Sequence, residues 1–322
     1  MLLCGLLLAG IGVLLIVVPA GSTGISGEER EYNPATAAML TEINETELRN
    51  TTYDLQNFST RVFGTDGNRE AGEYLFARFA GIPELEVKFQ GGELNNVVAT
   101  LPGSDSTSDE VVVVGAHYDS RSSDPARAPG ATDNGCGVAI VLELARVMSL
   151  HQFDRTVQFA LWNAEEDGRY GSADYAANAT NPVVLYLNYD SACYDPENRS
   201  ILDIVYDERS ADIAALMVDN NALYTTNFTL TANNHTCESD HVPFRDRGYP
   251  VVTTHCEEHG PAHTPDDTID HVSFGYTKKN ARLGLSVLAE VAGLRDEEEP
   301  AAVPKAPVMI VWNLSGRLGG PV

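Results

Sequence analysis

Residues 111–120 read "VVVVGAHYDS": four consecutive valines that run into an imidazole and then a carboxylate. An unbroken β-branched run offers solvent no polar face. It needs cover on both sides, which a parallel strand in mid-sheet receives from helix layers. The chain then alternates. A helical pattern over 135–150 ("GCGVAIVLELARVMSL") is followed by a strand over 156–164 ("TVQFALWNA") and the start of a helix over 171–179. A strand over 182–191 ("PVVLYLNYDS"), a helix over 210–223, a late strand over 249–256 ("YPVVTTHC") and a long closing helix over 273–294 complete the series. Upstream, residues 35–58 form one helical pattern and residues 68–82 a second amphipathic one. "ELEVKFQ" and "NNVVATLPG" make a strand pair across a Gly-Gly turn. Such alternation predicts an α/β domain over 35–295: three layers, α/β/α, with a central mixed, mostly parallel sheet.

Ligands of open α/β sheets bind where strands end at their carboxyl edge. The strand at 111–115 ends in His117 and Asp119, the next in Glu165 and Glu166, and the 183–187 strand in Asp190. The late strand leads into "HCEEHGPAHTPDDT", which carries His263, and Asp133 sits in the Gly-rich turn "APGATDNGCGVA". Two adjacent glutamates after a buried strand repel each other and lose hydration unless a positive charge joins them. Imidazoles and carboxylates converging on one edge form a donor set that suits Zn²⁺ and tolerates Mn²⁺ or Co²⁺. The metal site is therefore expected at the carboxyl ends of the strands.

The segments "AHYDS", "PGATDNGCGVA", "NAEEDGRYGS", "LNYDS", "SDHVPF" and "HTPDDT" stand in the order found in the two-zinc aminopeptidases of peptidase clan MH, which the chain resembles over roughly residues 35–295. Glutaminyl cyclases are relatives of that family. The resemblance implies that Asp133 bridges two zinc ions, with His117 and Asp190 completing one site and Glu166 and His263 the other. It implies that Glu165 is the general base, acting on a zinc-bridged hydroxide, and that Asp119 orients the imidazole of His117. Asp240, His241 and Phe244 of "SDHVPF" resemble a segment near the family's substrate pocket. Arg169 stands where the family commonly has an apolar residue. The expected activity is hydrolysis of N-terminal peptide bonds in peptides with a free amino terminus. The alternatives are a glutaminyl-cyclase-like enzyme, or a non-catalytic ectodomain of the same fold.

Charge narrows the partners. The 46 acids against 21 bases give a net charge of −25, which opposes binding to nucleic acid or to an anionic lipid surface. Residues 1–20 are an apolar run without Lys or Arg, read either as a cleaved export signal or as a retained anchor; contact with a membrane is expected only through it. Residues 21–34 read as a linker and 296–322 as a Pro-rich linker with a short tail. An extracellular or cell-surface location is expected. Asn-X-Ser/Thr sequons at Asn44, Asn50, Asn57, Asn178, Asn198, Asn227, Asn234 and Asn313 agree with export. So does an even cysteine count beyond the leader: Cys136, Cys193, Cys237 and Cys256. Four cysteines allow three pairings, and Cys237 with Cys256 is one candidate bridge.

Overall fold

The structure, a computed structural model, describes residues 30–233, 238–256 and 260–295. Eight strands form one sheet: β1 (Glu86–Gln90), β2 (Asn96–Leu101), β3 (Val111–His117), β4 (Thr156–Trp162), β5 (Val183–Tyr189), β6 (Ile201–Tyr206), β7 (Thr229–Asn233) and β8 (Val251–His255). Their order is β1-β2-β4-β3-β5-β8-β6-β7. The centre, β4-β3-β5-β8, is parallel. β2 joins it antiparallel on one flank and β6 antiparallel on the other. The sheet is thus mixed and mostly parallel, as expected.

Every residue of β3 is buried, and successive side chains serve opposite faces. Val112, Val114 and Ala116 join the larger core, and Val111 and Val113 the smaller one. The larger core receives α1 (Pro34–Thr41), α2 (Glu45–Gln56), α3 (Asp66–Ala80), α4 (Cys136–Met148), α6 (Ala211–Leu223) and α8 (Phe274–Ala292). The smaller core takes Ala176 from α5 (Tyr170–Asn178) and Phe244 from α7 (His241–Arg245). Gly115 interrupts the valines because Trp162 crosses there. A Cβ at that position would lie 2.8 Å from the indole Nε1.

Three features differ from the sequence expectations. The single helical pattern over 35–58 is two helices. Asn44 breaks it: its Oδ1 caps Thr46 N at 2.9 Å, and its own N–H donates to Glu143 Oε1 at 2.6 Å. Strands β6 and β7 carry no long apolar run; "ILDIVY" has an Asp at its middle, so the β signal there is weak. The bridge found is Cys136–Cys193, with Cα atoms 6.4 Å apart. The candidate pairing of Cys237 with Cys256 is corrected in part: Cys256 is a buried free thiol, and Cys237 lies outside the described residues. The sequence could not choose because Cys136, at the start of α4, and Cys193, in the loop after β5, are brought together only by the fold.

Residues 1–29 and 296–322 also lie outside the described residues, so the leader and tail readings have no structural counterpart. Among the described residues no helix is long and apolar enough to cross a membrane.

Candidate metal centre and active site

The parallel strands deliver their polar ends to one cleft of about 380 Å³, lined by His117, Asp133, Glu165, Glu166, Asp190 and His263 among others. His117 closes β3. Its Nδ1 lies 3.2 Å from the main-chain oxygen of Asp119, which can only accept. Nδ1 therefore donates to that oxygen, and Nε2 faces the cleft. Nε2 lies 3.2 Å from Asp133 Oδ1 and 3.6 Å from Asp190 Oδ1. On the other side, His263 Nε2 lies 3.1 Å from Asp133 Oδ2 and 3.0 Å from Glu166 Oε2.

The arrangement is two trios that share one carboxylate. Asp133 turns Oδ1 to His117, which also faces Asp190, and Oδ2 to His263, which also faces Glu166. Ligands about 2.0–2.1 Å from a tetrahedral ion stand roughly 3.3 Å from each other. The observed separations match that spacing, so these residues fit zinc. His117, Asp133 and Glu166 also form a metal-sized group by ligand-atom proximity alone.

Electrostatics follows this division only in part, since burial raises the Glu166 carboxyl too, with His263 pulling against it. Burial disfavours charge on His117, yet its bonds to Asp119, Asp133 and Asp190 more than offset this and raise its pKa well above the ordinary value. Burial opposes ionisation of Asp133, but His117 and His263 hold its carboxyl far below the usual range. Glu165 differs. Burial pushes its carboxyl up to about 9; His117 pulls against this, while Asp240, Asp190 and Asp119 push the same way. Bound cations act in the opposite direction. A carboxyl whose environment favours the proton, beside others that stay ionised, is the pattern of an acid–base group among ligands.

The expected substrate residues are placed otherwise. Asp240, His241 and Phe244 are all buried, none lining the cleft. Phe244 stacks on Tyr186 with ring centroids 4.1 Å apart, beneath the site. The aromatic ring of Phe244, on α7, draws it into the smaller core. Asp119 is also buried and does not line the cleft.

Two supports escaped the sequence reading. Buried Asp267, the second acid of "HTPDDT", accepts from Thr132 N at 2.8 Å, from Thr132 Oγ1 at 2.6 Å and from Asp133 N at 3.1 Å. Its presence in a quoted motif was the available signal. Arg61 is fully buried, and its guanidinium donates to the main-chain oxygens of Tyr118 (2.8 Å), Leu55 (3.1 Å), Pro129 (2.6 Å) and Gly130 (2.9 Å). Nothing in its neighbourhood in the sequence marks it. Gly130 has φ +53°, and a Cβ there would meet Asp133 O and Ser120 Cβ at 2.7 Å, so the turn that carries Asp133 requires glycine.

Known proteins are similar to this chain in sequence and in fold. A probable leucine aminopeptidase of Trichophyton verrucosum (strain HKI 0517) is 26% identical over 289 residues, spanning 81% of this chain and 76% of the relative. The LapA aminopeptidase of Legionella pneumophila superposes with a TM-score of 0.75 at 20% identity, over 87% of this chain and 80% of that one. A zinc aminopeptidase from Bacillus subtilis gives 0.69 at 17% identity, over 82% and 97%. The profile of peptidase family M28 matches residues 96–288, a stretch that holds β2 through most of α8 and every one of the clustered ligands. With the strand order, the shared carboxylate and that match in hand, the chain belongs to peptidase family M28 and is a hydrolase of the metallopeptidase type.

Proposed function

We propose that this protein is an exported aminopeptidase that holds two zinc ions and removes N-terminal residues from peptides. The observation that carries the reading is the split carboxylate of Asp133, one oxygen to each trio. His117, Asp190 and Asp133 would hold one ion, and His263, Glu166 and Asp133 the other. Bound zinc supplies Lewis acidity, which polarises a peptide carbonyl and brings the pKa of water from 15.7 to about 7.

The chain's own groups do the rest. Glu165 lines the cleft without belonging to either trio. It takes the proton of the attacking water and returns it to the leaving amine, a role for which an environment that favours the protonated form is suited. Asp119 fixes the position of that base through its backbone. The free amino terminus of a substrate, a cation, is drawn to the acidic floor of the cleft, which favours cleavage at the chain end.

Export is supported by chemistry at the surface. All six sequon asparagines within the described residues, Asn44, Asn50, Asn57, Asn178, Asn198 and Asn227, are exposed, and the Cys136–Cys193 bridge suits an oxidising compartment.

The test is metal analysis paired with hydrolysis of a series of aminoacyl amides. Two zinc ions per chain with release of the N-terminal residue is the expected result. One zinc per chain with cyclisation of N-terminal glutamine would replace it with the cyclase reading. Inactivity of the metal-replete protein on every amide would leave the non-catalytic ectodomain.

A further inference from the structure

The cleft that holds the two trios has a rim, and among the described residues that rim carries no Leu, Ile, Val, Met, Phe, Tyr or Trp. Beyond the six residues already described, its lining consists of Arg121, Gly168, Arg169, Ser191, Glu238 and His255. Pockets that select an aliphatic side chain are walled by apolar groups, because burial of hydrocarbon is what such selection uses. A leucine side chain entering here meets no aliphatic or Phe, Tyr or Trp wall among the described residues.

The rim has charge instead. It carries two arginines against one glutamate, on a chain whose acids outnumber its bases 46 to 21. Arg169 sits closest to the chemistry along the chain. The N–H groups of Gly168 and Arg169 both donate to Glu165 O at 2.8 Å, so the base and the arginine share one tight turn. Arg169 has φ +61°, which fixes the direction in which its side chain leaves that turn. Its Nη1 meets Glu238 Oε2 at 3.1 Å, with the Glu238 side chain 75% exposed. A carboxylate is therefore already seated on this guanidinium, in a pair open enough to solvent to be exchanged for another. A guanidinium fork is built to accept a carboxylate through two parallel bonds.

Resting on the aminopeptidase reading, we propose that the cleft selects N-terminal residues with an acidic side chain, aspartate or glutamate. Arg169 reads the side-chain carboxylate, and Glu238 occupies it in the substrate-free protein. The acidic floor takes the α-ammonium of the same residue, so both charges of an N-terminal glutamate find a complement.

The test uses the full zinc-loaded chain and the p-nitroanilides of Glu, Asp, Leu and Lys, read as kcat/KM. The wild type is expected to favour Glu or Asp over Leu and over Lys by roughly tenfold or more, the size of one charge-assisted contact. Arg169→Leu should reverse the Glu-to-Leu ratio, Arg169→Lys should lower it only in part, and Glu238→Gln should lower KM for Glu-p-nitroanilide. A wild type that prefers Leu overturns the proposal. So does one that prefers Lys, which would make Glu238 the reading group. An unchanged Glu-to-Leu ratio in both Arg169 variants also overturns it. Failure to release product from any of the four overturns the aminopeptidase reading itself, whereas brisk release from Leu alone sinks only the acidic selectivity.

Discussion

Asp119 holds the backbone of Glu165: its Oδ1 accepts the Glu165 N–H at 3.1 Å, while Oδ2 accepts that of Glu166 at the same distance. One buried carboxylate thus fixes the proposed base and a proposed ligand relative to His117, whose Nδ1 it also faces. Asp119→Asn keeps the shape but turns an N–H₂ toward one of the two donors. Turnover on a responsive aminoacyl amide should fall about 10–100-fold, with metal affinity reduced in parallel, as for other groups that orient ligands. Equilibrium dialysis against zinc alongside kcat checks both halves.

Glu165→Gln removes the proton acceptor and leaves the trios intact. The expected loss in kcat is on the order of 10²–10⁴, the range for a positioned acid–base group, with zinc content per chain unchanged. Zinc loss equal to the loss of activity would show Glu165 to be a ligand instead.

Asp133→Ala removes an oxygen from each trio at once. Both ions should then bind weakly, whereas His263→Ala, which touches one trio, should spare the ion at His117 and Asp190. Zinc stoichiometry of the two variants separates a shared carboxylate from a one-sided one.

The centre of the sheet and the polar residues at its carboxyl edge were legible in the sequence because each signal was local, whereas their division into two trios came from the family resemblance. A valine run that ends in His117 and Asp119, a Glu-Glu pair after a strand and an acid in a Gly-rich turn all announce themselves within ten residues. What was not legible depended on distance. Arg61 serves carbonyls at 55, 118, 129 and 130, and nothing at position 61 says so. The pairing of Cys136 with Cys193 needs β5 beside β3 before it can be seen. Phe244 reads as pocket lining from its motif and becomes core because Tyr186 and Trp162 offer it an aromatic bed. Strands β6 and β7 lacked the hydrophobic run of the central four, since they lie beyond β8 at the margin of the sheet.

The buried guanidinium of Arg61 gives a prediction on stability and metal together. Burial pulls its pKa down to about 10, with Asp267, Asp119 and Asp133 acting the other way, so it stays charged at neutral pH. Arg61→Met would remove all four bonds; Leu55 O and Gly130 O keep main-chain donors, while Tyr118 O and Pro129 O lose theirs at about 1–3 kcal/mol each, for a total on the order of 2–6 kcal/mol. Arg61→Lys keeps the charge but reaches fewer of the oxygens, so it should fold with a smaller loss. Because the lost bonds tie β3's exit to the turn before Asp133, zinc affinity should fall in the Lys variant even where the thermal midpoint is nearly restored. Calorimetry and zinc titration on the same samples decide it; full recovery of both by lysine would reduce Arg61 to a buried charge.

Cys256 gives the last prediction. Its Sγ accepts from Tyr194 N at 3.3 Å and lies 3.7 Å from Tyr276 Oη, with 1% of the residue exposed. Burial pushes the thiol up to about 12, the contacts with Tyr276 and Tyr194 working weakly against it. The thiolate is the reactive form, so iodoacetamide at pH 8 should leave Cys256 unmodified in the folded chain and label it in denaturant. Cys136 and Cys193 should appear only after reduction. The raised value also sets a direction for stability. Below pH 9, the ordinary value, the thiol is protonated folded and unfolded alike and contributes no slope. Above it the unfolded chain ionises first, so stability should decline as pH climbs toward about 12. Cys256→Ala should flatten that limb, and peptide mapping without reduction reads the pairing directly. A mapped Cys237–Cys256 bridge would refute the free thiol and restore the pairing that sequence alone had left open.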